Sequence, residues 1–137
     1  ACIADFDGDG QVELAVTNGG MSYIGGDAVK EPNRLFKFEF EAPNAFVRVR
    51  LEGDGLKIPR SPVGARVEVG ATDGRGNHWT RFRTVLSQNG FAAQNPYDMI
   101  VGLGAADSVE SVTIAWPDLQ TQAVPPPELG ESIIVGL

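Results

Sequence analysis

The 137-residue chain carries 18 acidic and 11 basic side chains, a formal net charge of −7 and a sequence pI near 4.6. That balance argues against nucleic acid and anionic membrane surfaces as partners and favours calcium or a basic partner. The single cysteine, Cys2, excludes an intrachain disulfide and any multi-cysteine metal site, and no apolar run is long enough to span a bilayer as a helix.

Cys2 stands in the apolar run of residues 1–4 and reads as a small buried hydrophobe. Next comes Asp5-Phe6-Asp7-Gly8-Asp9-Gly10-Gln11-Val12-Glu13, four carboxylates within one short loop. Left alone they repel. Side-chain oxygens of Asp5, Asp7 and Asp9, a backbone carbonyl near Gln11 and the carboxylate of Glu13 can converge on one hard cation, and Ca2+, which takes several oxygen ligands at loose geometry, suits them best. Gly8 and Gly10 give the chain the positive-φ freedom to fold its own carboxylates inward. The plainer alternative is an Asp/Gly-rich surface turn that binds nothing.

An EF-hand loop counted from Asp5 would need a bidentate acid at its twelfth position, with helices on both sides. That position is Val16, and Val12, Leu14 and Val16 alternate with Glu13, Ala15 and Thr17 at the period of a strand. The loop therefore leads into a strand over residues 11–17, punctuated by Asn18-Gly19-Gly20. Residues 21–32 form a Gly-rich connection without a clear period. Over residues 33–41, Phe36, Phe38 and Phe40 point one way and Leu35, Lys37, Glu39 and Glu41 the other, so the phenylalanines call for a core.

From Ala45 onward short strands follow at close spacing. Val47, Val49 and Leu51 oppose Arg48 and Arg50; Ala65, Val67 and Val69 oppose Arg66 and Glu68, as in half-buried antiparallel strands. Thr72-Asp73-Gly74-Arg75-Gly76-Asn77 predicts a hairpin turn, with a return strand over residues 79–86. Residues 109–116, with Val112, Ile114 and Trp116 inward, and residues 133–135 complete the set. Pro125-Pro126-Pro127 forbids a central strand and makes a stiff crossing. The fold class is all-β, an antiparallel sandwich or barrel-like domain preceded by a smaller β fragment.

The D-x-D-G-D-G loop with an acid at Glu13, running into a strand, resembles the calcium loop of the FG-GAP or VCBS repeat, the blade unit of integrin-type β-propellers. Asn33-Arg34-Leu35-Phe36 stands where that repeat places its next strand, so residues 1–41 resemble a terminal blade, which cannot bury its own faces without neighbours. Because the chain opens inside this motif, it reads as a fragment. Residues 45–137 resemble the ASPIC/UnbV domain, found at the C-terminal end of FG-GAP-repeat proteins. The matching residues are Val47-Arg48-Val49-Arg50-Leu51-Glu52-Gly53, Val63-Gly64-Ala65-Arg66-Val67, Gly90-Phe91 with Gln94-Asn95-Pro96, Val101-Gly102-Leu103-Gly104 and Val112-Thr113-Ile114-Ala115-Trp116-Pro117. Two departures stand out. Arg60-Ser61-Pro62 replaces the family's usual Asn-Arg pair, and Asp118-Leu119 replaces a small residue and Gly after Trp-Pro. Read without the family, Gly64, Gly102 and Gly104 mark bends or close backbone approaches, and Trp116 before Pro117 is a core anchor at a strand end.

Arg48, Arg50, Arg66, Arg81 and Arg83 fall on polar or mixed strand faces, where they form either a basic stripe for acidic glycans or cross-strand pairs with Glu52, Glu68 and Glu110. His78 has no second histidine and no serine in a nucleophile-elbow setting, and no glycine cluster precedes the Lys-Ser/Thr of a phosphate loop. No catalytic residue is expected. The resemblance implies a non-enzymatic extracellular or cell-surface module for adhesion or for protein or glycan recognition, with Ca2+ in a structural role. Its rival is an accessory carbohydrate-binding part of a larger propeller enzyme, to which exposed Tyr23, Trp79 or Tyr97 would contribute. The N-terminal strands offer a third expectation, self-association through exposed edges.

Overall fold

The computed structural model describes residues 1–18, 31–39, 44–90 and 93–137. Tyr23, Phe40, Glu41 and Phe91, all singled out above, lie outside the described residues. The described residues form ten strands: β1 (Cys2–Ala4), β2 (Glu13–Val16), β3 (Arg34–Phe36), β4 (Ala45–Glu52), β5 (Arg66–Thr72), β6 (His78–Thr84), β7 (Met99–Gly104), β8 (Ser108–Ala115), β9 (Thr121–Val124) and β10 (Ser132–Gly136). The described residues contain no helix, so the all-β class holds.

The chain divides into two compact units, Ala1–Glu41 with Gln88–Pro96, and Ala42–Ser87 with Tyr97–Leu137. The first contains one antiparallel sheet ordered β1-β2-β3. Within it the Ile3 amide donates to Asn95 Oδ1 at 2.9 Å, and Asn18 is held by Asn33 and Pro32. Its strands are shorter than their alternation predicts. Phe36 and Phe38 are exposed, as are Ile3, Phe6 and Leu35, so these two phenylalanines do not enter a core. Cys2 is only partly buried, since a three-stranded sheet has too little depth to enclose it. Among the described residues of this unit, only Gly10 and Glu13 are buried.

The second unit is sandwich-like and consists of two open sheets, ordered β10-β4-β7 and β6-β5-β8-β9. Alternation decides its core: Val47, Val49, Leu51, Val101 and Leu103 from the first sheet join Val67, Val69, Val112 and Ile114 from the second in one buried cluster. Trp116 completes it at 2% exposure, its indole Nε1 donating to Gln122 Oε1 at 3.0 Å. The hairpin between β5 and β6 is capped by Asp73, whose carboxylate accepts from the Arg75 and Asn77 amides at 2.9 and 3.0 Å.

Two features depart from the all-antiparallel expectation. β10 pairs parallel to β4, from Ser132↔Arg48 to Gly136↔Glu52. β7 and β9 add to the strands that the sequence predicts: Gly102 and Gly104 read there as bends or close approaches, and β9 is short and lies against the proline run. In β7 the alternation of buried Met99, Val101 and Leu103 outweighs the glycines. Gly104 does bend, at φ 65°, whereas a Cβ on Gly102 would meet nothing within 4 Å.

Candidate metal centre

The ladder register brings the acidic loop and its surroundings together. Ala4 pairs with Glu13, so Asp5 leaves β1 beside the point where Glu13 enters β2. Leu14 pairs with Phe36, so Lys37, the next residue along, arrives at the same level from the other side. Between them the loop curls on itself through Gly8 at φ 81° and Gly10 at φ 87°, conformations costly for any residue bearing a Cβ.

The curled loop is held mainly by its own carboxylates. Asp5 accepts the Gly8 amide on Oδ1 at 2.6 Å and the Gly10 amide on Oδ2 at 2.9 Å. Asp7 accepts from the Asp9 amide and Asp9 from the Gln11 amide, and Glu13 Oε2 takes the Phe6 amide at 2.8 Å. One oxygen from each of Asp5, Asp7 and Glu13 lies within 4.8 Å of the others. Oxygens on one Ca2+ at 2.3–2.6 Å stand at most about 5 Å apart, so this spread is one an ion can span. Glu13 is 3% exposed, yet its Oε1 has no hydrogen-bond partner among the described residues, and neither does the buried Gln11 Oε1. An ionised oxygen in that position is expensive unless something positive meets it. The residues present therefore fit a calcium ion: Asp5, Asp7 and Glu13 from the cluster, with Gln11 beside them.

Asp9 is drawn elsewhere. The Lys37 ammonium donates to Asp7 Oδ2 at 2.5 Å and to Asp9 Oδ2 at 2.9 Å, bridging the two carboxylates with about half of its own side-chain surface still in solvent. Hydrogen bonding from Lys37 first, then from the Gln11 amide, lowers the Asp9 pKa, and the two carboxylates, Asp7 ahead of Asp9, raise that of Lys37. Sequence reasoning placed Lys37 on a solvated strand face and missed this bridge. The available signal was a cation just beyond the second strand after an acidic loop, three residues past Arg34.

The arginines are not gathered into one stripe. Arg48 and Arg50 lie on β4, and the rest lie in the other sheet. Register puts Arg81 and Arg83 opposite Val69 and Val67, on the opposite face of β5 from Arg66. Arg50 pairs with Glu52 on its own strand at 3.2 Å and across to Asp98, just before β7, at 3.6 Å; Arg66 pairs along its strand with Glu68 at 2.7 Å and also stacks 4.2 Å over Phe82. Glu110 instead meets His78 Nδ1 at 2.9 Å. Of the aromatics expected on a sugar-binding face, Trp79 and Tyr97 are partly buried against the core. No helix of the described residues is long and apolar enough to cross a membrane.

Neither the curated proteins nor the solved structures contain a match to this chain. The sequence profile of the family described as ASPIC and UnbV matches residues 55–136, more than half of the chain and most of the two-sheet unit. With that span matched and the sandwich-like unit in place, the chain belongs to the ASPIC and UnbV family.

Proposed function

We propose that the chain is a calcium-stabilised recognition module of an extracellular or cell-surface protein, with no catalytic role of its own. In this reading residues 1–41 are a terminal FG-GAP or VCBS blade carrying one Ca2+ on Asp5, Asp7, Asp9, Gln11 and Glu13, and residues 45–137 are the domain that meets a protein or glycan. The buried Glu13 carboxylate, with one oxygen lacking a partner beside Asp5 and Asp7, carries the calcium assignment. The exposure of Ile3, Phe6, Leu35, Phe36 and Phe38 supports the blade assignment, because repeat units cover such faces with their neighbours.

The ion's work is structural. It neutralises the loop's like charges, so binding energy becomes local folding energy. Affinity on the order of 0.1–1 mM suffices outside cells, where calcium is plentiful. At ten- to hundredfold excess over Kd this stabilises the bound state by roughly 1.4–2.7 kcal/mol. Isothermal calorimetry with CaCl2, together with melting in calcium and in EDTA, tests the reading. Asp7→Ala is expected to lower the melting temperature in calcium and to abolish the difference that EDTA makes. A wild-type chain that gives no heat with calcium, or an Asp7→Ala variant with an unchanged EDTA response, removes the loop from the account.

A further inference from the structure

An acidic loop that closes around an ion faces a problem before the ion arrives, because its carboxylates repel at short range. Here the chain supplies a positive group of its own. Lys37 reaches back from the end of β3 and holds both Asp7 and Asp9, while Asp5 and Glu13 are occupied by loop amides. The ammonium thus holds one of the three carboxylates whose oxygens lie within 4.8 Å of one another, yet leaves Glu13 Oε1, in a side chain 3% exposed, without a partner. A point charge bonded to Asp7 and Asp9 satisfies one side of the cluster and not the other.

We infer that Lys37 is an exchangeable internal counter-ion: it occupies Asp7 and Asp9 while the loop is ion-free and must release them when a divalent cation binds the loop through Asp5, Asp7, Asp9 and Glu13. This rests on the calcium reading above and adds the regulation of that site. Two physical features make the exchange feasible. The Lys37 and Asp7 side chains are each 49% exposed, so the contact is screened and weak enough to break. The lysine stem is long and unbranched, so the ammonium can swing into water without moving β3. The exchange lowers calcium affinity, because every binding event breaks an existing ion pair and brings the divalent ion beside a positive charge. It also keeps the ion-free loop ordered, so that the site stays folded when calcium is scarce.

The test is calcium calorimetry on the full chain as wild type, Lys37→Met, Lys37→Gln and Lys37→Arg, with melting in EDTA alongside. Removing the ammonium is expected to tighten calcium binding roughly three- to tenfold, the range set by one or two exposed ion pairs. It should also lower the melting temperature in EDTA and so widen the calcium-induced shift. Lys37→Arg should restore wild-type behaviour. In the wild type, the Lys37 Cε and Nζ resonances should move on adding calcium. Equal or weaker binding by Lys37→Met and Lys37→Gln, with the wild type still binding, overturns the exchange and leaves the calcium site intact. Absence of heat from every variant overturns the site itself, and the exchange with it.

Discussion

A Cβ added to Gly53 would lie 2.2 Å from the Pro59 carbonyl oxygen and 2.6 Å from that of Ile58, both backbone atoms that cannot swing aside. Gly53→Ala is therefore expected to cost about 2–3 kcal/mol or more, seen as a lower urea midpoint. Gly102 differs. With nothing within 4 Å of its would-be Cβ and no positive φ, Gly102→Ala should change stability by less than about 0.5 kcal/mol. Both glycines fall in motifs that the sequence makes conspicuous, but only three-dimensional neighbours tell a glycine needed for room from one that is not. Leu119 shows the converse. It sits at φ 70°, 91% exposed, in the turn where its amide bonds the Trp116 carbonyl at 3.0 Å. A left-handed leucine there stores strain of about 1 kcal/mol. Leu119→Gly should therefore raise stability by roughly 0.5–1 kcal/mol, measured by denaturant unfolding; a loss would show that the strain is relieved in some other way.

At the scale of single elements, the turn between Gly53 and Arg60 is organised by one carboxylate. Asp54 Oδ1 accepts the amides of Leu56, Lys57 and Ile58 at 2.8–3.0 Å, and these bonds, that from Ile58 foremost, lower its pKa from the ordinary 3.8. Because the folded-state pKa is depressed, the stabilisation is fully present above about pH 4–5 and is lost as pH falls through the lowered folded value. The stability gap between wild type and Asp54→Asn should thus be flat near neutrality and close in acid; a gap persisting at pH 2 would contradict it. Asp73 follows the same rule in the hairpin turn, where the Asn77 side chain is the main cause of its lowered pKa. On β6, Arg81 and Arg83 share a face with the core residues Val69 and Val67 but lie exposed at the sheet edge. Joint replacement by Gln should leave the melting temperature within a degree or two. Retention on a heparin column that falls with it would assign that edge to acidic glycans, and unchanged retention would leave it as a solvated edge.

For the molecule as a whole, period-two alternation made most of the two-sheet core legible, since each buried valine of β4 and β5 is flanked by a charged residue. The core-facing positions of β8 and the hairpin were readable for similar reasons. Pairing direction was not. Nothing local distinguishes a strand that will lie parallel to β4 from one that will oppose it, so the β10 partnership emerges only from the packed sheet. The acids of the loop were legible as a group, because alternate carboxylates with glycines between them fold onto one another within a short window, whereas Lys37 joined them through a ladder register that no short window contains. The same long-range dependence makes truncation of core side chains costly. Ile114→Ala, at a fully buried position, should destabilise the two-sheet unit by about 2–5 kcal/mol, visible as a lower denaturant midpoint.

The two units should also respond differently to temperature. Among its described residues the first fully buries only a glycine and a carboxylate, with Val12, Leu14 and Val16 partly buried, so melting it newly wets less oily surface than melting the second. Its heat-capacity increment should be the smaller of the two and its stability curve the shallower. The valine-rich unit should show the steep, domed curve of an ordinary core. If the loop holds the proposed calcium ion, the chemical potential of that ion will govern the loop-bearing unit more than the thermometer does.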